Sequence, residues 1–270
     1  MRARIVPTGR GARWLGEGFA LFRVAPLGWL ALVFAYWLLM TLVSVVPCLG
    51  VVAASVLVPP FSVGFMAASR AAAHGSVPAV SNLFAGFRER VATQLALGAL
   101  YTAALALLLA GTALADGGAL ARWMLAGERP GEEMLQSEAF LGAMLTAVTL
   151  YLPVMMMFWL APVLAAWHGV MAPKALFYSF FACLMNWRAF LAYGAVTALV
   201  AVALPFVVLS VMMMASGGGA KISVMALLFP FLILLLPTLF ASFYISYRDI
   251  FGATADEPQG DAQPGSMRGP

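Results

Sequence analysis

Long uncharged stretches alternate along the chain with short segments that carry its charged residues. No charged side chain occurs in residues 24–69, 92–115, 139–167, 189–215 or 222–246. A helix needs about 20 apolar residues to cross the hydrocarbon layer of a membrane. Each stretch is long enough for one such helix, and the first is long enough for two, with a Pro-Cys-Leu-Gly turn between them.

The pattern predicts an all-α protein, a polytopic membrane helical bundle with six transmembrane helices. The predicted spans are residues 27–46, 51–69, 92–115, 139–167, 189–215 and 222–246. Pro153 or Pro162 is expected to kink the fourth span, which is long. The spans belong to a membrane domain at 14–251, between a basic N-terminus at 1–13 and a disordered tail at 252–270.

A short amphipathic segment precedes each pair of spans. In Trp14–Arg23, Leu15 and Phe22 lie on one helical face. Similar patterns follow at 71–90 and 168–188, where His-Gly, Pro, Leu-Phe and Phe recur in the same order. Each segment is predicted to be an interfacial helix in the headgroup layer. The chain is therefore predicted to contain three like-oriented repeats, each an interfacial helix plus a helical hairpin.

The composition excludes a soluble protein, because 63% of the residues are hydrophobic and only 10% are charged. The mean hydropathy is +0.96. The two cysteines, Cys48 and Cys183, fall at opposite faces of the predicted topology, so no disulfide is expected between them.

The basic residues are concentrated on one side of the predicted topology. Twelve lie on that side, and three, Arg122, Arg129 and Lys221, lie on the other. The positive-inside rule therefore predicts that both termini are cytoplasmic. The same residues account for the sequence pI of about 9.3, so a nucleic acid is not an expected partner.

The connection at residues 116–138 is acidic, unlike the others. Asp116 is predicted to cap a short helix that ends at Gly127. Pro130 and the two glutamates that follow it favour the start of the next helix.

Small residues and prolines indicate where helices pack. Gly64 with Ala68, and Gly194 with Ala198, predict close approach of neighbouring helices. Prolines occur in all three helices that return to the cytoplasmic side: Pro59, Pro60, Pro153, Pro162, Pro230 and Pro237. These prolines either open a central cavity or fit the curvature of packed helices, and both interpretations stay open.

The spans contain no Asp, Glu, Lys or Arg, although ion- and proton-coupled carriers commonly place such charges inside their bundles. No spacing in the sequence is typical of a metal site, a phosphate-binding loop or a nucleophile with its base. We therefore expect no catalytic residues, no cofactor and no metal, and we expect a protein that is not an enzyme.

The remaining candidates are basic and aromatic residues beside the cytoplasmic ends of the spans. We call this group the basic collar: Arg23, Arg70, Arg88, Arg90, His168, Lys174, Trp187, Arg188 and Arg248. Guanidinium groups pair with phosphate oxygens, so the collar is a candidate site for anionic lipid headgroups. The simpler interpretation is that these residues only set the topology. Trp14, Trp29, Trp167 and Trp187 are expected to be aromatic anchors near the same boundary.

Three functions remain open at this point. The first is a non-enzymatic protein that interacts with membrane lipids, including anionic lipids, or organises envelope partners. The second is a small permease or channel for a neutral or amphiphilic solute, which needs a pathway through the bundle. The third, an intramembrane enzyme, needs polar groups that converge on one buried point.

The likeness to known proteins rests on five segments, Ala25–Leu30, Leu83–Arg88, Ala166–Gly169, Phe180–Phe190 and Ala241–Phe251. They resemble an uncharacterised family of six-span proteobacterial inner-membrane proteins. The resemblance covers about residues 10–251, and it implies an architecture and a location in the bacterial inner membrane. More distantly, the arrangement is similar to the membrane domain of some glycerophosphodiester phosphodiesterases. The resemblance implies no catalytic residues.

Overall fold

The computed structural model describes residues 3–46, 49–215 and 224–252, except for the side chains of residues 215 and 224–230. Four features of the sequence analysis lie outside these described residues: the centre of the predicted turn at 47–48, Lys221, the side chain of Pro230, and the predicted tail from residue 253 onward.

The described residues form eleven α-helices, one 3-10 helix and one π-helical turn, and they contain no strand. In chain order the helices are α1 Thr8–Val24, α2 Pro26–Ser44, α3 Leu49–Ala73, the 3-10 helix Val80–Phe87, α4 Val91–Asp116, α5 Ala119–Ala126, α6 Glu132–Leu135, α7 Glu138–His168, α8 Ala172–Met185, α9 Trp187–Ala198, the π-helical turn Leu199–Ala203, α10 Leu204–Ala215 and α11 Val224–Phe251. The predicted all-α fold is confirmed.

Six helical segments are long and apolar enough to cross a membrane: α2, α3, α4, α7, α9 with α10, and α11. This confirms the prediction of a bundle with six transmembrane helices. Each segment overlaps one predicted span. The largest difference at an end is at α11, which continues to Phe251, whereas the predicted span ends at residue 246.

The fifth of these segments is irregular in its middle. A π-helical turn at Leu199–Ala203 separates α9 from α10, and Pro205 follows it. In a straight α-helix the ring of Pro205 would clash with the carbonyl group of Ala201, four residues earlier. The wider π-helical turn gives the ring room at this position.

The three amphipathic segments pack on the three helices that return to the same end of the bundle. The first, α1, lies along α11 and α9; the second, the 3-10 helix, lies along α3; and the third, α8, lies along α7. The second segment is a 3-10 helix and not the expected α-helix. Because the three segments differ in length and conformation, the threefold repeat stays a prediction.

The first segment is buried by protein on two sides. Its buried residues are Gly11, Trp14, Leu15, Gly18 and Phe22. Trp14 packs against the rings of Phe190 and Tyr193 in α9 and is fully buried. Trp29 is also fully buried, and its indole N–H donates to the carbonyl oxygen of Leu21 at 3.2 Å. The expected role of both tryptophans as boundary anchors is therefore wrong, because helical periodicity is the same whether a face meets lipid or protein.

Glycines mark two of the closest backbone contacts. A Cβ atom at Gly64 would lie 2.5 Å from the carbonyl oxygen of Leu83, and one at Gly98 would overlap the carbonyl group of Val56. The predicted close contact at Gly64 is confirmed. Nothing lies within 4 Å of a Cβ built at Gly194, so the contact predicted there is wrong. The spacing of small residues does not reveal which helical face is covered.

Polar side chains join helices inside the bundle. The hydroxyl of Ser179 in α8 accepts from the N–H of Leu160 at 2.9 Å and donates to the carbonyl oxygen of Met156 at 2.7 Å, both in α7. The side-chain amide of Gln94 in α4 donates to the carbonyl oxygen of Pro162 at 2.8 Å. Uncharged hydrogen bonds of this kind orient neighbouring helices where charged side chains are absent.

The acidic connection folds largely as expected. The carboxylate of Asp116 accepts from the N–H groups of Gly118 and Leu120, at 2.8 and 2.7 Å, and so caps α5. Gly127 ends α5 in the left-handed conformation. Both features confirm the prediction. The helix expected next is a single turn, α6, and α7 begins only at Glu138.

Most buried residues lie toward one end of the bundle. Two large clusters form there, one around α1, α7, α8, α9 and α11, the other around α1, α2, α3, the 3-10 helix and α11. We call this end, where α3, α7 and α11 terminate, the basic end. A smaller cluster at the opposite end packs α5 on the start of α7. Along residues 194–214, which are all described, only Pro205 is buried.

Candidate functional site at the basic end

Two residues of the collar join the ends of α3, α7 and α11. The guanidinium carbon of Arg70 in α3 lies 5.3 Å from the ring centre of Trp167 in α7. The Nε2 atom of His168 in α7 lies 2.8 Å from the hydroxyl oxygen of Tyr247 in α11. The three helices that were predicted to return to one side therefore terminate close together.

A third collar residue, Arg90, contacts the end of α7. Its backbone precedes α4 in the left-handed conformation, with φ 51° and ψ 48°, which is uncommon for a residue with a side chain. A Cβ atom at Gly169, the residue that ends α7, would lie 2.7 Å from its Nη2 atom. The C-terminus of a helix carries a partial negative charge that a guanidinium group stabilises. Arg90 is exposed but lies beside this helix end.

Arg248 belongs to a group of four charged side chains between α1 and α11. Arg10 contacts both acidic members: its Nη1 lies 2.7 Å from Glu17 Oε1, and its Nε donates to Asp249 Oδ2 at 2.8 Å. Arg248 Nη2 lies 3.2 Å from Glu17 Oε2. The indole N–H of Trp14 donates to Asp249 Oδ2 at 2.8 Å. Two cations face two anions, so this group neutralises itself.

The sequence analysis did not find this charged group. Burial alone would lower the pKa of Arg10, but the hydrogen bonds and charges of Glu17 and Asp249 raise that pKa above its usual value. One signal was available, because Arg10 and Glu17 are 7 positions apart and thus share a helical face. Asp249 had no comparable signal, since it lies 239 positions from Arg10.

Asn186 attaches the segment before α1 to the break between α8 and α9. Its Oδ1 accepts from the N–H of Val6 at 2.8 Å, and its Nδ2 donates to the carbonyl oxygen of Arg4 at 3.0 Å. The N–H of Arg4 donates to the carbonyl oxygen of Ile250 at 2.7 Å. The N-terminal segment is therefore bound to α11 as well as to the α8–α9 break.

The other members of the collar face outward. The exposed members are Arg23, Arg88, Lys174, Trp187 and Arg188, and Arg90 beside the end of α7 is exposed as well. The guanidinium carbon of Arg23 lies 5.5 Å from the ring centre of Phe19, and that of Arg188 lies 5.4 Å from the ring centre of Trp187. None of the exposed cations forms an ion pair with an acidic side chain in the part of the chain that the structure describes. They are the collar charges most accessible to a ligand.

Trp187 and Arg188 line a groove of about 330 Å³ between residues 5–8 and 185–189. Trp187 is 51% exposed and is the first residue of α9. The N–H groups in the first turn of a helix have no partner within that helix. Thr8, the first residue of α1, lies in the same wall. A guanidinium group, a hydroxyl group and helix N-terminal amides beside one groove match the oxygens of an anionic headgroup.

A second concave site, the central cavity, has a volume of about 240 Å³ and lies between α2, α3, α4, α7 and α11. Pro59 of α3 and Pro162 of α7 are part of its wall. Of the two interpretations of the prolines, these two residues favour the first, a cavity inside the bundle. Nine aromatic rings dominate the rest of the wall: Tyr36, Phe61, Phe65, Tyr101, Tyr151, Phe158, Trp159, Phe240 and Phe243.

The described residues contain few reactive groups. No three His, Cys, Asp or Glu side chains among them lie close enough to share a metal ion. Burial raises the pKa of the Cys183 thiol to about 12, so this thiol is not a thiolate near neutral pH. The groups that the basic end presents to a ligand are charged side chains, hydrogen-bonding groups and aromatic rings.

The six apolar helices define a multi-pass membrane protein with one basic end. The chain is similar to a probable inner membrane protein of Burkholderia thailandensis, with 41% identity over 248 residues that cover 90% of this chain and 91% of that protein. The chain belongs to the family of that inner-membrane protein, which confirms the expected resemblance to inner-membrane proteins. No model of a protein family matches the chain, and no solved structure matches it. The distant similarity to the membrane domain of glycerophosphodiester phosphodiesterases stays a prediction.

Proposed function

We propose that this protein is a non-enzymatic inner-membrane protein that binds anionic lipid headgroups at its basic end. In this proposal the basic end and both termini face the cytoplasm, in accordance with the positive-inside rule. The observation that carries the proposal is the groove beside Trp187 and Arg188. Of the two roles considered for a non-enzymatic protein, the groove supports lipid binding and not the organisation of envelope partners.

The exposed cations of the collar are the groups that would meet the lipid. The cytoplasmic leaflet is rich in anionic lipids, and each basic residue close to its surface contributes about 1 kcal/mol to binding. The collar arginines that contact protein groups have a different role in this proposal, because they hold the ends of the helices together. The collar thus combines a structural part with a binding part.

The groove also has apolar residues that suit the lower part of a headgroup. Ile5 and Met185 lie in its wall, and both are exposed. An aromatic ring such as that of Trp187 is favourable at the boundary between headgroups and hydrocarbon. A phosphate group beside Arg188 would place its glycerol and first methylene groups against these apolar side chains.

Native mass spectrometry tests the lipid preference. The full-length protein, released from nanodiscs with equal amounts of phosphatidylglycerol and phosphatidylethanolamine, should retain phosphatidylglycerol preferentially. The double variant Arg88→Gln, Arg188→Gln removes two exposed charges of the basic end, and the preference should fall by about tenfold or more, because each charge contributes about 1 kcal/mol.

The matched control is the double variant Arg122→Gln, Arg129→Gln, which makes the same change of charge at the opposite end. Its lipid preference should equal that of the unchanged protein. An equal loss in both double variants, or no loss in the first, would contradict the proposal.

Reporter fusions test the orientation. A phosphatase reporter that is active only outside the cytoplasm should be active after Gly127, in the acidic connection, and inactive after Gly252, at the end of α11. The reverse pattern would contradict the cytoplasmic orientation of the basic end that the proposal includes.

The central cavity supports a second candidate function, a permease for a neutral or amphiphilic solute. On the helices that line the cavity, residues closer to the basic end, such as Met66, Leu164 and Ile245, are buried. Passage therefore requires helices to move apart at that end. Vesicles containing the protein should swell in a gradient of the neutral solute glycerol faster than protein-free vesicles if the second function holds. Equal swelling rates would contradict the permease function and leave lipid binding as the proposed function.

A further inference from the structure

Three tyrosines lie in the wall of the central cavity, and the proposed lipid binding at the basic end does not involve them. Tyr36 belongs to α2, Tyr101 to α4 and Tyr151 to α7. The three side chains line the same cavity and come from three different helices. The cavity therefore combines aromatic surfaces with a small group of uncharged hydroxyl donors.

Tyr36 is the most informative of the three. Its ring is packed edge-on against Phe61, Phe65 and Phe240, with ring centres 5.4, 5.2 and 6.2 Å away. Among the described residues, its hydroxyl forms no hydrogen bond. A hydroxyl group left without a partner in apolar surroundings costs about 1–3 kcal/mol. An acceptor inside the cavity would remove that cost.

We propose that the central cavity binds a neutral, lipid-soluble molecule with a flat ring that carries carbonyl oxygens, as in a quinone. The aromatic side chains of the wall pack against such a ring. The tyrosine hydroxyls donate to its carbonyl oxygens, which are strong acceptors. The wall contains no charged side chain, so nothing there compensates a charged ligand. A saturated hydrocarbon chain would fill the space but leave the hydroxyls without acceptors.

The size and accessibility of the cavity agree with this ligand. Its volume of about 240 Å³ is below the roughly 300–1,000 Å³ of pockets for drug-sized ligands, so it holds a single ring and not a large molecule. Tyr151 is 41% exposed, and Met155 and Phe158 on the same helix are half-buried. The ring therefore enters from the membrane beside α7, and any apolar tail remains among the lipids.

A pair of probes separates the ring from its oxygens. Duroquinone is a tetramethylated ring with two carbonyl oxygens, and its full substitution prevents addition of thiols. Durene has the same methylated ring without the oxygens. Equilibrium dialysis against the full-length protein in nanodiscs, corrected with empty nanodiscs, should show saturable binding of duroquinone at one site. The affinity for durene should be at least about tenfold lower than that for duroquinone, because two hydrogen bonds are lost.

Variants then locate the site. Tyr36→Phe and Tyr101→Phe keep the ring and remove one hydroxyl each, so each should weaken duroquinone binding by about threefold to tenfold and leave durene binding unchanged. Tyr178→Phe makes the same change on α8, outside the cavity, and should have no effect. Val58→Trp fills the cavity and should abolish binding of both probes, with helix content checked by circular dichroism.

Three results would overturn the proposal: no saturable binding of duroquinone, equal affinity for durene, or unchanged affinity in both tyrosine variants. Equal affinity for the two probes would mean that the cavity accepts hydrocarbon. The inference is independent of lipid binding at the basic end, so the Arg88→Gln, Arg188→Gln variant should bind duroquinone like the unchanged protein.

Discussion

At the basic end of the bundle, three amphipathic segments fill the spaces between the membrane helices, whereas at the opposite end the short helices α5 and α6 are the only elements that the described residues place beside them. Helix α4 passes through both regions. Its Leu97, near the basic end, is fully buried, while Leu114, near the opposite end, is 92% exposed. The same residue type in one helix thus meets protein at one end and the surroundings of the protein at the other.

The contrast shows what holds a membrane bundle together. Moving a leucine from lipid to protein gains little, because lipid tails are as apolar as the protein interior. The basic end is therefore held by close packing and by polar pairs, such as Arg10 with Asp249 and Trp14 with Asp249. Among the described residues, the opposite end has fewer of these contacts, and its exposed side chains suit direct contact with lipid.

The largest expected effect comes from truncating the buried leucine of α4. Leu97→Ala should lower the free energy of unfolding by about 2 kcal/mol or more, because it leaves a cavity in a packed region. Leu114→Ala, the matched variant on the same helix, should change it by less than about 0.5 kcal/mol. Unfolding in a mixed-micelle denaturant titration, followed by circular dichroism, measures both. An equal loss of unfolding free energy in both variants would contradict the difference in packing between the two ends.

A glycine pair on α1 tests the close packing of the basic end. A Cβ atom at Gly11 would overlap the carbonyl group of Ala189, so Gly11→Ala should destabilise the protein by about 1–3 kcal/mol. Gly16 has no neighbour within 4 Å, and Gly16→Ala should stabilise the helix by about 0.5–1 kcal/mol. The same titration gives the sign of each change, and a stabilising Gly11→Ala would contradict the observed packing of α1 on α9.

The charged group between α1 and α11 should contribute more than the ion pair at the opposite end. Asp249→Asn removes the charge that faces Arg10 and weakens the bond to Trp14, so we expect a loss of about 1–2 kcal/mol. Glu132→Gln breaks the pair with Arg129, whose N···O distance is 3.0 Å but whose side chains are largely exposed, and should cost less than about 0.5 kcal/mol. Thermal unfolding of the two variants in the same detergent provides the comparison.

The last prediction concerns the rate of thiol labelling and involves no expected change in the free energy of unfolding. In a Cys48→Ser background, Cys183 should resist N-ethylmaleimide from pH 7 to 9, because the thiol is buried and its pKa of about 12 leaves almost no thiolate in that range. The thiolate fraction rises about tenfold with each pH unit in this range but remains near one thousandth at pH 9, so labelling should stay slow throughout. Leu184→Cys, made after Cys183→Ala, is the matched control, since Leu184 is exposed and should react. Rapid labelling of folded Cys183 would show that the basic end is less closely packed than its burial indicates.

Local patterns were sufficient for the regular features of the fold. The six membrane spans, the Asp116 cap of α5 and the close contact at Gly64 were predicted because each depends on the spacing of residues along a few helical turns. The same reasoning failed at Gly194, whose spacing to Ala198 resembles that of Gly64 to Ala68. Spacing identifies a helical face, but it does not identify what covers that face.

The candidate site was predicted only in part, because its residues have different partners in the folded protein. The collar does gather at one end, as Arg70 beside Trp167 shows. The sequence offered no means to separate exposed Arg188 from Arg248, which is paired with Glu17. The lipid-binding role of the collar stays a prediction.

The sequence by itself determined the class of this protein, the number of apolar helices and the concentration of its cations at one end, because hydrophobic length and charge order are properties of consecutive residues. Only the tertiary structure decided that Trp14 is a core residue while Trp187 borders a groove, and that three tyrosines meet in a cavity. Those outcomes depend on contacts between residues far apart in the chain, and no local pattern encodes such contacts.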